Sequence, residues 1–437
     1  MHLVTQPLCN QEKLVNLNQL EEILLEHPDL SGLSAEEQFD LLAERSKHIV
    51  GESRLKDMLK ACKKEGRGLR VKYGIDATAR SIHLGHAVPL FVLRRLQNMG
   101  HDVTLLIGDF TARVGDPTGR VSTRPVLSDE DIANNAKAFT AQAGKVIDID
   151  RTTVVFNSDW LSGFKLADLF RILSGLTVAQ AMQRDDFRTR ASITRSELLY
   201  STLMAIDSVH LNAELELGGD DQLLNFYDAE RVMENEGLTP ESALTTGLLL
   251  GTTGDGKKMS KSEGNFIAIT EEPAEKFGKL MSIPDTQLEM YFKLLTDIRD
   301  ASWDELAAAM ASGSVNPMDV KRLLARVVVA DLDGRDAAKQ AETAFNTRIV
   351  QKDIPDDLEV IEINKADAPD WILLLRKLNL PQASSNSKAR RLLEQSGVHL
   401  LEGTSDTTIG PEDLVPATGL ECSIRIGKRT YCKFRIV

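Results

Sequence analysis

Four short runs rich in apolar and strand-forming residues, Arg70 to Ile75, Val103 to Ile107, Thr153 to Asn157 and Ala213 to Leu217, have helical patterns between them. Strands that alternate with helices predict a parallel sheet covered by helices, an α/β architecture, because each crossover helix returns the chain to the same edge of the sheet. Ala87 to Met99 reads as the helix after the first strand, and Leu166 to Leu173 as another. At 437 residues the chain exceeds what one core supports, about 250 to 300 residues, so several domains are expected.

Residues 1–60 read as a helical N-terminal extension, with Leu14, Leu17, Leu20, Leu24 and Leu25 spaced along one face. The alternating region, 61–270, is expected to be the catalytic domain. Residues 271–350 read as a helical domain, whose Val320, Leu323, Leu324, Val327 and Val328 form a stripe that faces a core. Residues 351–369, rich in Asp, Glu and Pro, read as a linker. The remainder, 370–437, reads as a small α+β domain with helices at Trp371 to Leu378 and from Ser387, and strands at Gly397 to Leu401 and Tyr431 to Val437.

Composition narrows the function classes. No apolar run approaches the roughly 20 residues that cross a bilayer, and the first 20 residues lack an export-signal pattern, so no membrane partner and a cytoplasmic location are expected. Cys9, Cys62, Cys422 and Cys432 have no zinc-ligand spacing, which fits a reducing compartment and no metal site. A formal charge of −13 argues against nucleic-acid binding over the whole surface but permits a local basic patch.

Two segments carry chemistry. Tyr73 to His86 runs from a strand through Asp76 and Thr78 to His83, Leu84, Gly85, His86 and then a helix. Gly85 permits close approach of a nucleotide, a helix start favours anions, and imidazoles hydrogen-bond phosphate oxygens. His-Leu-Gly-His alone would read as a turn; its place between a strand and a helix is what informs. The second segment, Gly254 to Asn265, sets Lys257, Lys258 and Lys261 among small residues. Such a loop suits closure over a triphosphate, with Lys258 and Lys261 neutralising charge on departing pyrophosphate. Alone it would read as a solvated basic loop.

Taken together and in this order, the two segments closely resemble the HIGH and KMSKS signatures of class I aminoacyl-tRNA synthetases. Gly115 to Arg120 (GDPTGR), Glu216 to Gln222 (ELGGDDQ), Lys72 and Gly278 to Asp285 (GKLMSIPD) resemble the bacterial tyrosyl branch of that class. The resemblance runs from about residue 68 to the C-terminus and implies a Rossmann-like parallel-sheet catalytic domain. It further implies a tyrosine-tRNA ligase activity, in which tyrosine is activated with ATP to tyrosyl-adenylate and the tyrosyl group passes to the 3' end of tRNA. ATP would enter with Mg2+ as a substrate complex, with no tightly bound cofactor. A homodimer is also implied.

By the same resemblance, Asp116 and Tyr200 hold the α-ammonium group, Asp207 accepts the phenolic hydroxyl, and Gln222 lies near the reacting carboxylate. Asp76 joins the nucleotide site, Gly85, His86 and Asp221 contact adenosine, and Thr78 and His83 contact the triphosphate. Arg120 and Arg124 lie on a mobile basic segment and, with His83, His86, Lys258 and Lys261, form the catalytic set. The C-terminal domain resembles a small ribosomal RNA-binding module, whose surface would be Lys388, Arg390 and Arg391 with Arg425, Lys428, Arg429, Lys433 and Arg435.

Three positions depart from the branch. Met204 stands where a glutamine usually grips the ammonium group, Ile206 replaces a usual aromatic residue, and Asp220 stands where Ser or Thr is usual, adding negative charge near the substrate. They leave two further readings: an adenylating paralogue that uses a modified tyrosine in specialised metabolism, and a noncatalytic RNA-binding homologue.

Overall fold

The structure is a computed structural model that describes residues 16–78, 80–117, 127–182, 187, 192–346, 358–402, 405–427 and 430–437. The chain divides into two compact units, the first ending at Glu342 and the second beginning at Thr343.

The first unit is built on a six-stranded sheet of β1 (His48–Val50), β2 (Arg70–Asp76), β3 (Asp102–Gly108), β4 (Thr152–Phe156), β5 (Leu215–Gly219) and β6 (Ser242–Thr246). Their order is β1-β6-β5-β2-β3-β4. All pairings from β6 to β4 are parallel, and β1 alone runs antiparallel, against β6. The expected α/β architecture is therefore present. The strand near Ala213 begins two residues later than expected, because Asn212 takes the left-handed conformation (φ 46°) and caps the preceding helix.

The expected four strands prove to be six. β6, the sequence Ser-Ala-Leu-Thr-Thr, is buried throughout, and without alternation or a long apolar run it carries no period-2 signal. β1 lies inside the segment expected to be a helical extension, and the boundary expected at residue 61 falls inside the Glu52–Glu65 helix. The 1–60 segment thus contributes an edge strand to the catalytic sheet. The helices of 271–342 likewise belong to the first unit. Buried charges fasten them to the Leu84–Asn98 helix: Arg95 bonds Asp297, and Arg94 bonds Asp331 at 3.0 Å.

The second unit is a five-stranded sheet ordered β7-β11-β10-β8-β9, formed by Val360–Ile363, Thr430–Ile436, Glu421–Ile426, Val398–Glu402 and Ser405–Thr408. The helices Trp371–Lys377 and Asn386–Glu394 supply Trp371, Leu374 and Leu393 to a core shared with Ile424 and Phe434. The expected linker 351–369 is too long: β7 pairs with β11 and Ala368 is fully buried. β7 is a four-residue edge strand, Val-Ile-Glu-Ile, next to the acidic stretch that precedes it, and composition alone disguised it.

Candidate active site

From β2 the chain reaches β3 on one side, and it later returns to β5 on the other, so a crevice opens at the carboxyl ends of β2 and β5. Ligands of open α/β sheets bind at this kind of switch point. A cavity of about 840 Å³ occupies it, lined by both motif segments: His83, Gly85 and His86 on one wall, Lys258 and Lys261 on another.

Asp76, the last residue of β2, is the hub of the inner wall. Its Oδ1 accepts from the Thr111 hydroxyl at 2.7 Å, while Oδ2 accepts from the Tyr200 hydroxyl at 3.0 Å and the Asp116 N–H at 3.2 Å. Burial pushes its carboxyl up to about 6. Gly108 makes the hub possible, since a Cβ there would lie 2.3 Å from Asp76 Oδ1 and 2.4 Å from Thr111 Oγ1. Asp116 in turn accepts from the Gln222 amide at 2.6 Å, and Gln222 is held by Asn225 at 2.7 Å. Asp76, expected among nucleotide contacts, lines the cavity and also braces the two residues expected to hold the ammonium group.

The Arg195–Leu211 helix begins at a Thr194–Glu197 capping box and brings Tyr200, Met204 and Asp207 to one face, at i, i+4 and i+7. Asp207 accepts from Trp160 Nε1 at 2.8 Å and Asn157 Nδ2 at 3.1 Å, and burial pushes it up to about 7. Beside it, Lys72 is fully buried and donates to Ser208 at 2.6 Å and Glu216 at 2.9 Å, with Glu241 at 3.9 Å. Burial raises Glu216 far above the usual carboxylate range, since one ammonium cannot neutralise two buried acids.

At the opposite end, His83 precedes the Leu84–Asn98 helix and its ring lies 3.8 Å from that of His86. Burial, reinforced by His86 and the two lysines, pulls His83 down to about 3, so this imidazole is neutral. Gly85 leaves the His83 ring its place, because a Cβ there would sit 3.0 Å from that ring. Short pairings join the two segments: Leu84 N–H donates to the Ile267 carbonyl at 2.9 Å, and Ile269 N–H to that of Ile82 at 3.1 Å. Lys258 stands 3.6 Å from Asp221, and Lys261 donates to the Ser81 carbonyl. Thr78 also lines the cavity.

Most expected site residues therefore meet in one place, and some do not. Arg120 and Arg124 lie outside the described residues. Asp220 points away from the cavity to the sheet edge, where Lys47 and His48 each bond it at 2.6 Å and hold its carboxyl low, so its charge is neutralised there. Ile206 is buried in an apolar cluster with Leu161, Ala229 and Val232. Sequence reading missed Thr111, Asn157, Trp160 and Asn265, polar residues scattered along the chain with no shared motif. Only Gly108, at the end of an apolar run, hinted at a close approach.

A family profile described as tRNA synthetases class I (W and Y) matches residues 63–349. The chain belongs to this family. Among curated relatives, the tyrosine–tRNA ligase of Dehalococcoides mccartyi strain 195 is 41% identical over 406 residues, covering 91% of this chain and 99% of the relative. That of Thermotoga maritima is 40% identical over 407 residues, covering 91% and 97%. Among solved structures, the tyrosyl-tRNA synthetase from Archaeoglobus fulgidus, complexed with L-tyrosine, superposes with a TM-score of 0.59 at 24% identity. It covers 70% of this chain and 99% of that one, which is a likeness of fold.

In the second unit, Lys388, Arg390 and Arg391 are exposed on the Asn386–Glu394 helix, while Ala389 and Leu393 face the core. The rest of the expected basic surface is smaller. Arg425 is buried and donates to the Gly427 carbonyl at 2.6 Å, Arg435 pairs with Glu421 at 2.9 Å, and Lys428 and Arg429 lie outside the described residues. Among the described residues no helix is long and apolar enough to cross a membrane.

Proposed function

We propose that this synthetase is a tyrosine–tRNA ligase. One observation carries the reading: the histidine pair, the lysine loop and the Asp76, Asp116, Tyr200 and Asp207 group all line one cavity. In the reaction, a tyrosine carboxylate oxygen bonds to the α-phosphorus of ATP and the bond to pyrophosphate breaks, giving tyrosyl-adenylate. A ribose hydroxyl at the tRNA 3' end then attacks the acyl carbon, loses its proton and releases AMP.

Asp116 and Tyr200, braced by Asp76, grip the ammonium group, and Gln222, bonded to Asp116, lies toward the carboxylate. Asp207, held by Trp160 and Asn157, accepts the phenolic hydrogen bond. Neutral His83 and Thr78 hydrogen-bond triphosphate oxygens, Gly85, His86 and Asp221 contact adenosine, and Lys258 and Lys261 offset the charge of the leaving pyrophosphate. Arg120 and Arg124 are proposed to complete the catalytic set. ATP enters as its Mg2+ complex, and catalysis rests on positioning and charge with no protein nucleophile.

Lys388, Arg390 and Arg391 are proposed to bind tRNA phosphates. A homodimer is proposed as well. Leu166, Phe170 and Val178, each about two-thirds exposed at 69%, 66% and 67%, are apolar side chains that a partner subunit could cover. A cytoplasmic location is proposed, in keeping with the use of ATP and tRNA.

A second reading rests on Met204, a thioether in the cavity wall between the polar ends of the pocket at Tyr200 and Asp207: the preferred acid is a tyrosine analogue. ATP–pyrophosphate exchange across tyrosine and ring- or amine-modified analogues separates the two. A higher kcat/KM with tyrosine supports the ligase, preference for an analogue supports the second reading, and no exchange with any acid overturns both.

A further inference from the structure

The lysine loop is held where it lines the cavity by a residue outside the lysine signature. Asn265 is 1% exposed, and its side chain reaches back across the loop. Its Oδ1 accepts the Ser260 N–H at 2.8 Å and its Nδ2 donates to the Lys258 carbonyl at 3.3 Å. The Asn265 carbonyl accepts the Thr252 N–H at 3.0 Å, tying the same residue to the chain entering the loop.

The fit around this amide is close. A Cβ at Gly251 would lie 2.1 Å from Asn265 Nδ2 and 2.2 Å from its Cγ, so only glycine leaves room for it. Gly251 N–H donates to the Lys257 carbonyl at 2.9 Å, and Met259 N–H to that of Leu249 at 2.8 Å, pairing the two arms of the loop. Both lysines in the cavity wall, Lys258 and Lys261, flank the backbone atoms that the amide holds.

We propose that Asn265, seated against Gly251, is a positioning residue that latches the lysine loop in its closed place over the nucleotide. The assignment rests on the adenylating role proposed above. An amide suits the task because the loop presents one N–H and one carbonyl to the same buried point, and Asn supplies an acceptor and a donor from one planar group. Aspartate would keep the first bond and lose the second; alanine would lose both. Opening the loop then removes Lys258 and Lys261 from the triphosphate while leaving the tyrosine pocket intact.

The test uses the full chain with Asn265→Ala, Asn265→Asp and Gly251→Ala. Losing two buried hydrogen bonds should lower kcat for ATP–pyrophosphate exchange by about tenfold or more, and raise KM for ATP, with KM for tyrosine unchanged. Asn265→Asp should fall between, and Gly251→Ala should match Asn265→Ala. In parallel, trypsin should cut Asn265→Ala at the loop lysines about tenfold faster than the parent, a readout independent of which acid is activated. A variant that exchanges and resists trypsin like the parent, or one whose tyrosine binding falls in step with its rate, overturns the latch. A parent without exchange would refute the adenylating role alone, and the trypsin rates would still decide the latch.

Discussion

Replacing Asp207 with asparagine removes one charge and puts a donor where the pocket needs an acceptor. The carboxylate accepts from Trp160 and Asn157, one donor on each oxygen. Asparagine offers one acceptor end, so one of these N–H groups would confront another N–H. Asn157 cannot turn its amide to relieve the clash, since its oxygen accepts the Phe110 N–H at 3.0 Å and its nitrogen also donates to Thr111 at 3.1 Å. A buried donor left without an acceptor costs about 1 to 3 kcal/mol, and losing a charged acceptor for the phenol about 1.5 to 3 more. The first cost is present with or without tyrosine and falls on stability; the second, about 2 kcal/mol, is roughly one to two orders of magnitude in kcat/KM for tyrosine. Phenylalanine, which never uses that acceptor, should be nearly unchanged, so the preference for tyrosine shrinks by the same roughly one to two orders. ATP–pyrophosphate exchange with both amino acids gives these ratios. With Asp207 pushed up to about 7 by burial, kcat/KM of the parent should fall as pH drops through that value, and the Asp207→Asn profile should be flat there. Exchange with tyrosine within about threefold of the parent would refute the role given to Asp207.

Gly108→Ala should cost at least about a hundredfold in exchange activity, because its Cβ would collide with both Asp76 and Thr111 and dismantle the hub; a variant with parental kinetics would show that the hub is dispensable. Met204→Gln should lower KM for tyrosine about threefold to tenfold by adding a polar contact in the cavity wall, and an unchanged or raised KM would count for the analogue reading. Burial lowers the His27 pKa, but hydrogen bonds to Asp297 and Asp331 outweigh it and raise the ring to about 8. A raised folded pKa adds stability that is complete below about 6.5 and is lost as pH climbs through 8. With the side chain 29% exposed, solvent reduces that contribution to about 1 kcal/mol. Urea unfolding at pH 6 and pH 9 should show this difference, and His27→Gln should remove it.

The parts of the fold written in local pattern were legible. β3 and β4 carry runs of apolar and β-branched residues, β2 sets Val71, Tyr73 and Ile75 at every second position, and helices separate them, so they and the parallel sheet could be read directly. β1 and β6 exist because they pair with one another and with β5, a tertiary cause that no short window of Ser, Thr and Ala records. The same division holds in the site. His83, His86, Lys258 and Lys261 sit in compact segments whose order carries meaning. The bracing role of Asp76 shows only in the fold, where Tyr200, 124 residues later, donates to it. Asp220 is charged and adjacent to Asp221, yet it turns outward because Lys47 and His48 wait at the sheet edge. Asn265 falls just past the last residue that the signature names, and only the folded loop reveals what its amide holds.

Charging itself is the most direct test of the central claim. The full chain, given ATP with Mg2+, radiolabelled tyrosine and bacterial tRNA(Tyr), should convert the tRNA to its tyrosyl form and leave periodate-oxidised tRNA, which lacks the terminal hydroxyls, uncharged. Adenylate formation without any acid-precipitable, alkali-labile label on intact tRNA would contradict the ligase assignment.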